Sequence, residues 1–253
     1  MKRLQEYQHL LATDGVEWGL IGPRETERLW ERHIDNCLAV TEDPLCLPQG
    51  ATVLDVGSGA GLPGLVWAIA RPDLKVTLVE PLERRVRFLE QAADRLEVPV
   101  RVVRARIQDV DLQANRVTAR AVAATSTLLP WLAPHVSGGR MVLLKGQRAQ
   151  QELDAALPWL TRRGWQAEVR VVGDPPRRAS LTSTATKWGE DGTSRSGLAG
   201  TTGATPGLTG GTGRRGLARR GGHRVIITVA NQKGGVGKTT TVVNMAVALA
   251  QLG

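Results

Sequence analysis

The chain has 253 residues, 42% of them hydrophobic, and can bury one large core or two small ones. Its net charge is +9, but residues 1–186 carry 24 Lys/Arg against 22 Asp/Glu, so charge does not mark this part as a nucleic-acid binder. Two cysteines exclude a disulfide framework or a zinc site, and no apolar run resembles a membrane span or signal core, so we expect a cytoplasmic protein that binds no metal.

Residues 1–46 form a charged segment with a helical pattern. Pro23 favours the start of a helix, and Leu29, Trp30, His33 and Cys37 recur at three- and four-residue spacings. We therefore expect a helix over this stretch with one apolar face.

From residue 52 onward, apolar runs alternate with amphipathic segments. Strands are predicted at 52–56, 75–80, 100–105, 116–123, 139–146 and 165–174, with a more polar candidate at 179–188. The clearest helix between them covers residues 82–98. This alternation predicts an α/β fold in which helices cover both faces of a doubly wound sheet.

A glycine-rich loop, LDVGSGAGLPG, follows the first predicted strand. Gly57, Gly59 and Gly61 alternate where a tight turn lets the backbone approach a ligand. A dinucleotide fingerprint also fits this loop if it is read from Gly59, Gly61 and Gly64, so the glycines alone leave two cofactor classes open.

Two acidic residues near the loop bear on that choice. Asp55 lies two residues before the first glycine, where it can meet the amino group of S-adenosyl-L-methionine and would repel a pyrophosphate. Glu80 ends the next strand, where a carboxylate can accept both ribose hydroxyls of either cofactor. Asp55 therefore favours S-adenosyl-L-methionine.

Several motifs occur in order between residue 5 and about residue 186: GLIGPRE, RLWERHIDNC, LDVGSGAGLPG, RPDLKVTLVEPLERRVRFL, TARAVA and LLKG. Together they resemble the small-subunit ribosomal RNA guanine-N(7) methyltransferase family, also called the glucose-inhibited division protein B family. The resemblance implies a class I (Rossmann-like) methyltransferase fold with a short helical N-terminal extension. It also implies methyl transfer from S-adenosyl-L-methionine to a guanine in the 530 loop of 16S rRNA.

The resemblance places cofactor contacts on Gly57, Leu62 and Arg120, and on the pair Ile107 and Gln108. That pair departs from the family, which usually has an acid where this chain reads RIQD. Gln108 can still hydrogen-bond an adenine edge, but it lacks the charge of a carboxylate.

The implied reaction places few demands on side chains. N7 of guanine carries an in-plane lone pair and no proton, so we expect no general base and assign no catalytic residue. Arg24, Arg32, Lys145 and Arg148 are candidate contacts to RNA phosphates, or else solvated surface charges. His33 is either an ordinary helical histidine or a residue with a structural or RNA-side role.

The sequence ANQKGGVGKTTT near the C-terminus follows a predicted strand at 225–230. It resembles the deviant Walker A motif of ParA/MinD-type partitioning ATPases, in which Lys233 and Lys238 address phosphates and Thr239 a magnesium ion. This likeness covers only residues 224–253, and hydrolysis needs an acid on a later strand. We therefore expect a vestigial phosphate loop that binds no ATP, left where two reading frames are joined.

The sequence predicts four regions along the chain. They are a helical extension (1–46), a methyltransferase domain (47–188), a disordered Gly/Thr/Arg-rich linker (189–223) and a truncated phosphate-loop ATPase fragment (224–253). The expected partners are small-subunit rRNA or the assembling 30S subunit, and no membrane. The alternatives are a partitioning ATPase or nucleotide-binding protein, and a methyltransferase-like protein that binds cofactor or RNA without activity.

Overall fold

The computed structural model describes residues 1–172 and 225–231. For residues 172 and 225–231 it describes only the backbone. Short helices precede the sheet: α1 (Lys2–Ala12), α2 (Asp14–Glu17), a 3-10 turn (Pro23–Arg28), a π turn (Trp30–Ile34) and α3 (Asp35–Leu38). Pro23 begins the 3-10 turn, where its missing N–H costs nothing.

The stretch predicted as one apolar helical face is divided between these turns. Leu29, Ile34 and Cys37 are fully buried, whereas His33 is only partly buried. A π turn takes more residues than an α turn, so Ile34 occupies the core position that α-helical spacing assigns to His33. His33 is thereby left at the edge of the core.

The strands and helices then alternate along the chain as predicted. The strands are β1 (Thr52–Val56), β2 (Lys75–Val79), β3 (Arg101–Val103), β4 (Ala114–Arg120), β5 (Val136–Lys145), β6 (Gln166–Val172) and β7 (Val225–Asn231). The helices are α4 (Gly64–Ala70), α5 (Glu83–Arg95), α6 (Thr125–Leu132) and α7 (Ala149–Arg163). The predicted strand at 179–188 lies outside the described residues.

One sheet contains all the described strands, in the order β3-β2-β1-β4-β5-β7-β6, and every pairing is parallel. The predicted fold class is therefore confirmed. The strand order reverses between β1 and β4, and in such sheets a ligand binds at the carboxyl ends of the strands beside that reversal.

Strand β7 occupies an unexpected place. The sequence predicts a strand here as the start of a separate fragment, but β7 lies between β5 and β6 of the same sheet. Residues 225–231 therefore belong to the same sheet as β1 to β6.

Hydrophobic side chains fill a layer on each face of the sheet. Along β5, Val142 and Leu144 belong to a cluster with the N-terminal helices, α4 and α5, whereas Met141 and Leu143 belong to a cluster with α6 and α7. This alternation is the period of two of a strand that is buried on both faces. No described helix combines the length and the apolarity needed to cross a bilayer.

Candidate active site

A loop of left-handed glycines connects β1 to α4. The φ angles are +69° at Gly57, +58° at Gly59 and +96° at Gly61, a region that other residues rarely adopt. A Cβ atom at Gly57 would lie 2.6 Å from Cγ2 of Val122, so only glycine lets the loop approach the segment after β4 this closely. The predicted tight turn is present.

Helix α1 supports this loop through a residue that sequence reasoning missed. The hydroxyl of Tyr7, which is fully buried, donates a hydrogen bond of 2.5 Å to the carbonyl oxygen of Ala60. The two residues are 53 positions apart, and no local pattern connects them. The N-terminal extension is thus part of the glycine loop's support.

Asp55 lies beneath the loop and is fully buried. Its Oδ2 accepts a hydrogen bond of 3.0 Å from the backbone N–H of Gly64, whereas its Oδ1 has no partner among the described residues. Burial raises the pKa of this carboxyl to about 7, the Gly64 amide and the Ser58 hydroxyl oppose the shift, and the charge of Glu80 adds to it. Asp55 therefore anchors the start of α4 and keeps one oxygen free.

Glu80 is also buried, directly after β2. Its Oε2 accepts from the backbone N–H of Gly59 at 2.9 Å, and its Oε1 accepts from that of Leu82 at 3.0 Å. The carboxylate therefore connects the glycine loop to the chain after β2. Each oxygen retains lone pairs with which it could accept further hydrogen bonds.

The pair after β3 presents one apolar and one polar side chain. Ile107 is buried in the core on the α6 side, and the neighbouring Gln108 is exposed. Leu62, in the glycine loop, is partly buried against the core on the opposite face. These residues lie after the carboxyl ends of β1 and β3, at one edge of the parallel sheet.

Arg120 ends β4 and contacts His33, which lies 87 positions earlier in the chain. Arg120 Nη2 and His33 Nδ1 are 2.5 Å apart, and Nδ1 must accept because a guanidinium can only donate. The Nε2 of the neutral ring then carries the proton and faces Glu25 Oε2 at 3.3 Å. Burial lowers the pKa of His33, Arg120 lowers it further, and Glu25 opposes the change.

A cavity of about 580 Å³ lies beside Arg120 and His33. Its walls come from the π turn and α3, from the segment after β4, from the end of β5 and from α7. Val122 lines this cavity and also touches the space in front of Gly57. A ligand bound at the glycine loop would therefore lie next to a compartment large enough for a second reactant.

One wall of the cavity is held by an ion pair. Lys145 Nζ lies 2.8 Å from Glu152 Oε2 and donates to the carbonyl oxygen of Ala123 at 2.8 Å. Glu152 also accepts from the backbone N–H and the hydroxyl of Thr125. The network fixes a segment in which Ala121 has an unusual φ of +55°. Sequence reasoning missed Glu152, whose role depends on this tertiary contact.

The candidate phosphate contacts differ in exposure. Arg24 and Arg148 are exposed, and Arg32 is about half exposed but paired with Glu25 at 2.7 Å. Lys145 is not a solvated surface charge, because its side chain is 6% exposed and its ammonium group is engaged as described above. Lys233, Lys238 and Thr239 lie outside the described residues. Within the described part of the chain, no group of His, Cys, Asp and Glu could hold a metal ion.

The chain is similar to proteins of known classification. The Ribosomal RNA small subunit methyltransferase G of Salinispora arenicola is 57% identical over 157 residues, which are 58% of this chain and 64% of that protein. The protein of the same name from Kineococcus radiotolerans is 49% identical over 179 residues, 69% of each chain. The chain thus spans 64% and 69% of the lengths of these two relatives.

Among solved structures, a putative S-adenosyl-L-methionine-dependent methyltransferase from Methanococcus maripaludis matches with a TM-score of 0.41. It is 13% identical, and the match covers 58% of this chain and 72% of that one. This structural similarity is too low to define the fold, which the strand order of the sheet defines instead.

Two family models match different parts of the chain. Residues 224–253 match a model described as an AAA domain, and residues 1–172 match the model described as rRNA small subunit methyltransferase G. The match to the AAA domain covers only residues 224–253, so it does not favour the partitioning-ATPase alternative over a methyltransferase. Because the longer match covers well over half of the 253 residues, the chain belongs to the rRNA small subunit methyltransferase G family.

Proposed function

We propose that this protein transfers a methyl group from S-adenosyl-L-methionine to N7 of a guanine in the 530 loop of small-subunit (16S) rRNA. The observation that carries the proposal is a cavity of about 580 Å³ that adjoins the glycine loop in a chain of this family. The names of the curated relatives state action on small-subunit ribosomal RNA. Because the proposed substrate is rRNA, free or in the assembling 30S subunit, we place the protein in the cytoplasm.

The described residues fit S-adenosyl-L-methionine in two respects. Gly57 has a left-handed φ of +69° that lets the loop backbone approach a ligand, and Asp55 Oδ1 is a buried acceptor without a partner among the described residues. The free oxygen of Asp55 suits a ligand amino group. The residues that would hold the cofactor are Asp55, Gly57, Gly59, Leu62, Glu80, Ile107, Gln108 and Arg120.

When bound, S-adenosyl-L-methionine supplies an electrophilic methyl group. The residues around the cavity then have to position the acceptor, because guanine N7 attacks with a lone pair and releases no proton. The ion pair between the buried Lys145 and the partly buried Glu152 suits this role, because it holds its own segments in place rather than reacting. It keeps the segment after β4 in place, which shapes the wall against which a base can lie.

Three exposed or half-exposed cations are candidates for contact with RNA. Arg32 lines the cavity, Arg148 directly follows Gln147, which also lines it, and Arg24 belongs to the preceding 3-10 turn. We propose that they contact RNA phosphates, and that Lys145 contributes to the wall of the cavity instead. RNA binding should therefore weaken as salt concentration rises.

Transfer of a tritiated methyl group to 30S subunits and to naked 16S rRNA, with the modified nucleoside identified, tests the proposal. We expect 7-methylguanosine in the 530 loop. Calorimetry with S-adenosyl-L-methionine separates binding from reaction, and Gly57→Val should abolish binding whereas Gly50→Val should retain it. Cofactor binding without any methyl transfer would support the alternative of an inactive binding protein instead.

A further inference from the structure

Strand β7 joins two strands that do not pair with each other. Residues 140–145 of β5 pair in parallel with residues 225–230, and residues 166–172 of β6 pair in parallel with residues 225–231. In the described sheet, β6 reaches the other strands only through β7. Without β7, both β5 and β6 would present a row of unpaired N–H and C=O groups.

The segment that forms β7 comes from outside the part of the chain that identifies the family. The match to the methyltransferase G model ends at residue 172, the last residue of β6, and β7 lies within the part that matches the AAA domain model. Its sequence, VIITVAN, is rich in β-branched residues, a composition typical of strands buried inside a parallel sheet.

We propose that residues 225–231 are a structural strand of the methyltransferase domain and that the domain depends on them for its stability. This segment fills the slot between β5 and β6. While it does so, its backbone N–H and C=O groups are paired on both sides. It is then not available as the first strand of a separate nucleotide-binding sheet.

The position of β7 also connects this segment to the cavity. In the parallel register Lys145 is paired with Ala230, so the carboxyl ends of β5 and β7 lie side by side. Leu144 and Lys145, the last residues of β5, line the cavity. Loss of β7 would leave that end of β5 as a free edge. We therefore expect removal of β7 to reduce both stability and methyl transfer.

The 253-residue chain allows a test that leaves the sequence of β7 unchanged. A site-specific protease sequence inserted after Gly210 can be cut in the purified protein, followed by size-exclusion chromatography. We expect the C-terminal piece to remain with the body, and the amides of residues 225–231 to exchange with deuterium as slowly as those of 140–145. Separation of the piece with no change in the body's melting temperature, or fast exchange at 225–231, would overturn the proposal.

Proline substitutions give a matched comparison. Ile227→Pro removes a backbone donor inside the ladder and should lower the melting temperature by roughly 6–12 °C, or release the cleaved piece. Thr212→Pro, outside the described ladder, should change it by no more than about 2 °C. Equal melting temperatures for the two variants, with the Ile227→Pro piece still bound after cleavage, would show that β7 does not stabilise the domain.

Discussion

Replacing Gly57 by alanine places a methyl group where the side chain of Val122 lies. Gly57 has a φ of +69°, and its added Cβ would be 2.6 Å from Val122 Cγ2. Gly50 supplies a matched control, because its φ is +68° and an added Cβ there would meet no heavy atom within 4 Å. Alanine therefore has the same backbone strain at both positions and a steric collision only at Gly57.

The free-energy costs of the backbone strain and of the steric collision can be estimated separately. A left-handed alanine costs about 1–2 kcal/mol, so Gly50→Ala should destabilise the protein by that amount. Displacing Val122 from its rotamer costs about 0.5–1.5 kcal/mol more. Gly57→Ala should thus melt about 1–6 °C below Gly50→Ala. Because Val122 would move at the junction of the loop and the cavity, methyl transfer should fall about 100-fold.

Thermal denaturation and tritiated methyl transfer to 30S subunits measure both effects. Gly50→Ala should keep methyl transfer near the wild-type rate. Adding Val122→Ala to Gly57→Ala removes the colliding methyl groups and should restore part of the stability and part of the activity. If Val122→Ala restores neither, the collision is not the cause of the loss and the reasoning from the loop geometry fails.

Three further predictions concern the support of the site. The pKa of Asp55 is about 7 when folded and 3.8 ordinarily, so stability should decline as pH rises from about 4 to 7, and Asp55→Asn should flatten the melting temperature measured across that range. The pKa of His33 is lowered in the folded protein, so the stability that its neutral ring contributes is present above pH 6.5 and is lost as the pH falls below it. The side chain in His33→Gln can still accept a hydrogen bond from Arg120, so this variant should lose less stability and activity in acid than the wild type does. Tyr7→Phe leaves the Ala60 carbonyl without its donor and should cost about 1–3 kcal/mol in urea unfolding, with a higher KM for the methyl donor; unchanged unfolding and KM would contradict that support.

The position of the glycine loop could be predicted because its signals are local. A buried strand followed by alternating glycines specifies a tight turn, whatever the rest of the chain does. The acids beside it were also identified by position, as strand-end residues. Their hydrogen-bond partners could not be predicted. Asp55 accepts from the amide of Gly64 and Glu80 accepts from the amide of Gly59, and both pairings depend on how the loop folds back.

Contacts across long sequence separations could not be predicted. The pairing of Arg120 with His33 spans 87 residues and exists because a π turn leaves His33 beside the end of β4. The same holds for Lys145, whose charge was visible in the sequence but whose burial against Glu152 was not. Charge and residue type are local properties, whereas exposure is decided by what packs nearby.

The sequence by itself determined the alternation of strands and helices, the glycine loop and the family to which the chain belongs. Only the tertiary structure decided which strand lies beside which. An apolar, β-branched run such as residues 225–231 can pair with any free strand edge, since backbone hydrogen bonds carry no sequence information. Its place between β5 and β6 therefore follows from the edges that the rest of the sheet leaves unpaired.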